Sequence, residues 1–199
     1  MKNEISAEVK PFRKTKYPIL PLFLNRWSPR SMTGEEMTDV EIMTLFEAAR
    51  WAPSSYNNQP WRFIYAKRNT PSWKKIFDLM VEANQTWTKN AALLIVVISH
   101  NSFEKNNKKS MTHSYDTGAA WMSLALEGEA KGYVVHGMEG FDYNKARTAL
   151  EIPNDYTVEA MAAVGKRAPK EKLPPELQKR EAPSNRKPLE EIVMEGKFR

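Results

Sequence analysis

Four short stretches collect the groups able to bind a ligand: Arg26-Trp27-Ser28-Pro29-Arg30, the run from Pro53-Ser54-Ser55 to Trp61, Met138-Glu139-Gly140-Phe141-Asp142, and Pro183-Ser184-Asn185-Arg186-Lys187-Pro188. Three of them are rich in guanidinium, hydroxyl and side-chain amide, and the third, Met138–Asp142, in carboxylate beside a glycine, groups that hold a ligand by hydrogen bonds or let backbone approach it. Each stretch alone also has a plain reading: a chance pattern in a basic chain, a helix cap, a turn, a solvated arginine. The chain has no cysteine, which excludes thiolate nucleophiles and Cys-ligated metal sites. His100, His113 and His136 lack ligand spacing, so no metal is expected.

Length and composition set the frame for these groups. With 199 residues, 41% of them hydrophobic, the chain can bury the core of one ordinary domain. A formal net charge of +6 suits a phosphate-bearing partner, whether nucleic acid, nucleotide or small phosphorylated cofactor. The bases are spread along the chain without a compact block or a nucleic-acid-binding motif, so no nucleic-acid partner is expected. The N-terminal stretch lacks an apolar leader and no apolar run approaches the ~20 residues of a membrane helix. A cytoplasmic protein without membrane association is the expectation.

The elements that must position the four stretches follow from periodicity. Residues 1–24 carry charge and prolines and read as an extended N-terminal arm. Thr38 and Glu41 form a capping-box pattern opening a helix through Ile42, Leu45, Phe46 and Ala49. Trp61 to Tyr65 reads as a strand, followed by a turn at Asn69-Thr70-Pro71 and a helix through Ile76, Phe77 and Met80 that continues past Glu82. The β-branched run Ala91–Ser99 predicts a central strand covered on both faces. A helix over Asp116–Lys131 and strands at Tyr133–His136 and Val158–Val164 come next. Residues 167–199 are rich in Lys, Pro and Glu and read as a second arm. The fold class expected is α+β, with one mixed, largely antiparallel sheet flanked by helices, a core over residues 25–166, and two arms that embrace a second copy of the chain.

Taken together and in this order, the four stretches resemble the nitroreductase family of FMN-dependent oxidoreductases, over roughly residues 23–193. The resemblance implies an intertwined homodimer with FMN at the subunit interface. By motif, Arg26, Ser28 and Arg186 would hold the FMN phosphate, with Trp27 and Ser184 alongside, and Arg30 would stabilise negative charge at the pyrimidine edge of the reduced ring. Pro53, Ser54, Ser55 and Asn57 would reach the flavin from the partner. Met138, Glu139 and Gly140 would present backbone amides, and Asn84 a side-chain amide, to the ring. Trp87 and Ser184 stand where the family commonly has lysines, so flavin affinity is expected to be weaker unless another base compensates. The implied reaction takes hydride from NAD(P)H and passes electrons to an electron-poor acceptor such as a nitroaromatic or quinone. No catalytic acid or base is assigned, since the chemistry lies at flavin N5. The alternatives are flavin reduction or dehalogenation on the same scaffold, and a non-catalytic or regulatory flavin-binding protein.

Overall fold

The computed structural model describes residues 4–198. Four strands form the sheet in the order β1-β2-β4-β3: β1 (Trp61–Lys67), β2 (Leu93–His100), β3 (Tyr133–Met138) and β4 (Tyr156–Lys166). All three pairings are antiparallel. The expected central strand is β2, whose Leu94, Val96 and Ile98 enter one core layer while Leu93, Ile95 and Val97 enter the other. Burial on both faces explains its continuous apolar sequence. Between Val97 and Ile98 the register with β4 slips, and Glu159 is the extra residue of the resulting bulge.

Helices α2 (Asp39–Arg50) and α5 (His113–Ala130) cover one face through Ile42, Leu45, Ala49, Ala120 and Leu124. The capping box of α2 is formed: Glu41 N donates to Thr38 Oγ1 (3.2 Å), and Thr38 N donates to the Glu41 carboxylate (2.7 Å). The opposite face is covered by α3 (Pro71–Phe77), α4 (Glu82–Thr88) and α6 (Tyr143–Ala149), with Ile76, Trp87 and Ala146 buried.

Three local expectations are corrected. The helix through Met80 does not continue past Glu82: α3 stops at Phe77, Met80 pairs with Phe141, and Val81 N donates to Gly140 O (3.1 Å). Long-range pairing thus overrides a helical pattern and starts α4 at a new angle facing Gly140. Helix α6 was not anticipated; Asp142 caps it by accepting from Lys145 N (2.8 Å). The N-terminal segment is not an extended arm. It turns at Ser6–Arg13, buries Val9 and Arg13, and forms the short helix α1 (Pro21–Asn25), where Pro21 occupies the first helical position that proline favours. The C-terminal segment includes the one-turn α7 (Pro175–Gln178) and docks on its own chain through Leu173 and Glu181, whereas residues 184–198 remain largely exposed.

Candidate functional site

The stretch Arg26–Arg30 leaves α1 in extended conformation and is clamped from three sides. His136 on β3 donates from Nδ1 to Pro29 O (2.8 Å), which makes Nε2 the unprotonated nitrogen of the neutral ring. Burial pushes the His136 pKa down to about 4, opposed by the Pro29 bond and assisted by the Arg30 charge. Glu181, from the C-terminal segment, accepts from Arg30 N (2.8 Å) and Ser31 N (2.9 Å) and pairs with Arg167 at 2.5 Å. The Arg167 guanidinium lies 4.7 Å from the centroid of buried Trp27, so that indole packs against a cation of its own chain.

The third clamp is Arg13. Its Nη1 donates to Leu24 O (2.6 Å) and Arg26 O (2.7 Å), and its Nε to Ser184 O (2.9 Å). One buried guanidinium therefore ties the N-terminal segment, the first stretch and the fourth stretch together. Burial, followed by the charges of Arg186 and Arg26, lowers the Arg13 pKa; burial and then Arg186 lower that of Arg26, while Glu129 opposes both. Three guanidiniums from residues 13, 26 and 186 thus form a cationic centre with one carboxylate nearby. Ser28 Oγ accepts from Arg26 Nη1 (3.4 Å), and Ser184 Oγ from Arg186 Nη1 (3.1 Å), so both hydroxyls stand beside those cations.

At the end of β3, Met138 is buried, Glu139 is exposed, and Gly140 packs under α4. Asn84 Nδ2 donates to Gly140 O (3.0 Å), and Asn84 Oδ1 accepts from Trp87 Nε1 (3.3 Å). A Cβ on Gly140 would lie 2.7 Å from Asn84 Nδ2, so a larger residue there would displace the Asn84 amide. Trp87 is a core residue beside the His136 ring, 4.5 Å between centroids.

The Pro53–Trp61 loop stands apart from that centre. Ser55 N donates to Asp116 Oδ2 (3.1 Å) in the first turn of α5, while Glu129, which acts on Arg13 and Arg26, lies in its last turn. Thirteen residues of helix separate the two, roughly 20 Å at 1.5 Å per residue. Asn58 Nδ2 donates to Ser102 O (3.2 Å), Gln59 N donates to Ser54 Oγ (3.0 Å), and Trp61 is core; these residues hold the loop. Tyr56, Asn57 and Gln59 adopt positive φ of 52°, 54° and 49°, a strained set for side-chain-bearing residues. Pro53 and Asn57 face outward.

A family model for the nitroreductase family matches residues 24–166. The chain belongs to the nitroreductase family. A crystal structure named as the oxidoreductase containing FMN is 44% identical, with a TM-score of 0.90, covering 94% of this nitroreductase-family chain and 96% of that one. Protein DrgA of Synechocystis sp. is 29% identical over 160 residues, 66% of this chain and 75% of DrgA. A Streptomyces coelicolor protein assigned as NADH dehydrogenase/NAD(P)H nitroreductase is 22% identical over 167 residues, 74% of this chain and 84% of its own length.

Arg13, His136 and Glu181 are the candidate-site residues that sequence reading missed in this nitroreductase-family chain. Their partners lie between 11 and 171 positions away along the chain, which no spacing rule reaches. The one available signal was an unassigned base needed to replace the absent lysines. Among the described residues no cluster of metal-ligating side chains occurs, and no helix is long and apolar enough to cross a membrane.

Proposed function

We propose that this nitroreductase-family chain is an FMN-dependent oxidoreductase that takes hydride from NAD(P)H and reduces an electron-poor small molecule such as a nitroaromatic or quinone. The observation that carries the reading is the convergence of Arg13, Arg26 and Arg186: burial first, and then the charge of Arg186, lowers the pKa of the other two. Clustered guanidiniums repel one another, and a dianionic phosphate relieves that repulsion through charge-assisted hydrogen bonds. The donor set therefore fits the phosphate of FMN, with the Ser28 and Ser184 hydroxyls beside it, and Arg13 supplies the charge that Trp87 and Ser184 do not. The FMN-containing structure at 44% identity supports the same cofactor, and the name of the Streptomyces relative supports the NAD(P)H donor.

Bound FMN supplies hydride acceptance and electron donation. The chain supplies position and field. Arg30, held at its backbone by Glu181, brings positive charge to the pyrimidine edge of the ring. Met138, Glu139 and Gly140 offer backbone amides, with Asn84 fixing Gly140 from behind.

The reading includes a homodimer. A loop held at the opposite end of α5 from the carboxylate that acts on the cationic centre of its own chain serves a flavin best in a second copy, so Pro53, Ser54, Ser55 and Asn57 act across the interface. The exposed Leu189, Ile192, Val193 and Phe198 of the C-terminal segment supply apolar surface for that contact. The test is the visible spectrum of the purified protein with FMN, recorded before and after anaerobic NADH and then NADPH. Bleaching, with recovery on adding a nitroaromatic or quinone, is expected; bound flavin that neither donor reduces would favour a non-catalytic flavin carrier. Arg26→Ala with Arg186→Ala is expected to give folded, colourless protein, and stoichiometric flavin in that variant would overturn the phosphate assignment.

A further inference from the structure

Between the N-terminal half of α5 and the end of the sheet lies a cleft of about 490 Å3 that touches Met138 and Glu139 on one side. Its walls are apolar or aromatic: Val97, Met138, Trp121 and Tyr143. Two hydrogen-bonding side chains in this lining have no partner among the described residues, Thr117 Oγ1 and Trp121 Nε1, although both atoms are covered and Thr117 as a whole is 1% exposed. A buried donor without an acceptor costs about 1–3 kcal/mol, and a ligand acceptor would remove that cost.

The cleft has an anionic end. Glu159, the bulge residue of β4, accepts at Oε1 from Ser99 Oγ (2.5 Å) and Ser114 Oγ (2.7 Å). Since Ser99 gives its proton to Glu159, it takes one from His113 Nδ1 (2.7 Å), so this buried serine fixes both neighbours. Oε1 is thereby satisfied, while Oε2 accepts no bond among the described residues. The carboxylates of Glu139 and Glu159, after burial, raise the Tyr143 pKa, so negative charge is felt on that wall in an otherwise basic chain. Ser114, Thr117 and Trp121 follow one face of α5 at helical spacing. The seven residues from Ser114 to Trp121 separate the carboxylate end from the indole end by roughly 10 Å.

We propose that this cleft is a binding site for a flat aromatic cation: a ring between Trp121 and Tyr143, a protonated amine on Glu159 Oε2, and a hydrogen-bond acceptor at the far end on Thr117 and Trp121. The binding claim stands on the cleft alone; that the ligand is also an electron acceptor rests on the flavin reading above, because Met138 and Glu139 border both places.

The probes are 4-nitrobenzylamine and 4-nitrobenzyl alcohol, which share the ring and nitro group and differ in the cationic head. Their binding to FMN-supplemented protein without an electron donor is measured by calorimetry. The amine is expected to bind about tenfold more tightly than the alcohol, the scale of one charged hydrogen bond. In Glu159→Gln the amine-to-alcohol ratio should fall close to one. In Thr117→Val both ligands should weaken by about fivefold with the ratio kept. Equal affinities in the unaltered protein would overturn the proposal, as would a ratio that persists in natively folded Glu159→Gln. The comparison in the unaltered protein decides the question even if that variant misfolds. The flavin spectrum of the same samples separates the two readings: Glu159-dependent amine binding without bound flavin would sink the oxidoreductase reading alone, and bound flavin without discrimination would sink the cleft alone.

Discussion

Replacing Glu181 by alanine tests how the C-terminal segment builds the site. The carboxylate is fully covered and serves three donors: Arg30 N, Ser31 N and Arg167 Nη1. Removing one partner of a buried ion pair costs about 3–5 kcal/mol because the other charge stays behind. Here Arg167 keeps Glu8 at 2.7 Å and the Trp27 ring, so the cost falls at the lower end, about 3 kcal/mol. For a chain of this size each kcal/mol shifts the melting temperature by about 2–4 °C, giving a fall of about 6–12 °C. Glu181→Gln keeps one acceptor oxygen and should fall by less. The assay is thermal unfolding with and without FMN, together with FMN content after gel filtration. Because Glu181 also holds the backbone of Arg30, flavin content should fall in the alanine variant even below its melting point. A shift under about 2 °C with flavin content unchanged would refute the clamp; the stability scale would then have been misjudged by more than the Glu8 contact explains.

Two further outcomes follow from the same framework. The folded pKa of His136, about 4, lies below its ordinary value, so the unfolded chain binds the extra proton: stability is complete above about pH 6.5 and lost as pH falls toward 4, by on the order of 3 kcal/mol. Denaturant unfolding at pH 7 and pH 4.5 should show that loss in the unaltered protein and a smaller one in His136→Gln; equal losses would exclude His136 as the source. Gly140→Ala places a methyl 2.7 Å from Asn84 Nδ2 and 3.1 Å from Val81 Cγ2, which should cost about 1–3 kcal/mol in denaturant titrations. Adding Asn84→Ala should recover part of that loss, whereas strictly additive losses would mean that the Asn84 contact is not the cause.

The elements legible in the sequence are those whose signal is local. The Thr38–Glu41 capping box, the period of Ile42, Leu45 and Ala49, and the unbroken β-branched run of β2 are encoded within a few residues, and each appears where it was expected. The four candidate stretches were legible too, because hydroxyl, amide, guanidinium and, at Met138–Asp142, carboxylate groups stand out against apolar neighbours. Tertiary structure decided what those stretches meet. It ended the helix at Phe77 and paired Met80 with Phe141, turned a proline-containing arm into a docked helix, and made Trp87 core. It also brought Arg13 to Ser184 across 171 positions, set Glu181 on Arg30, and left two unpartnered donors among the residues that line a carboxylate-tipped cleft. Charge and hydrogen bonding act through space, and only the folded chain decides which distant residues share it.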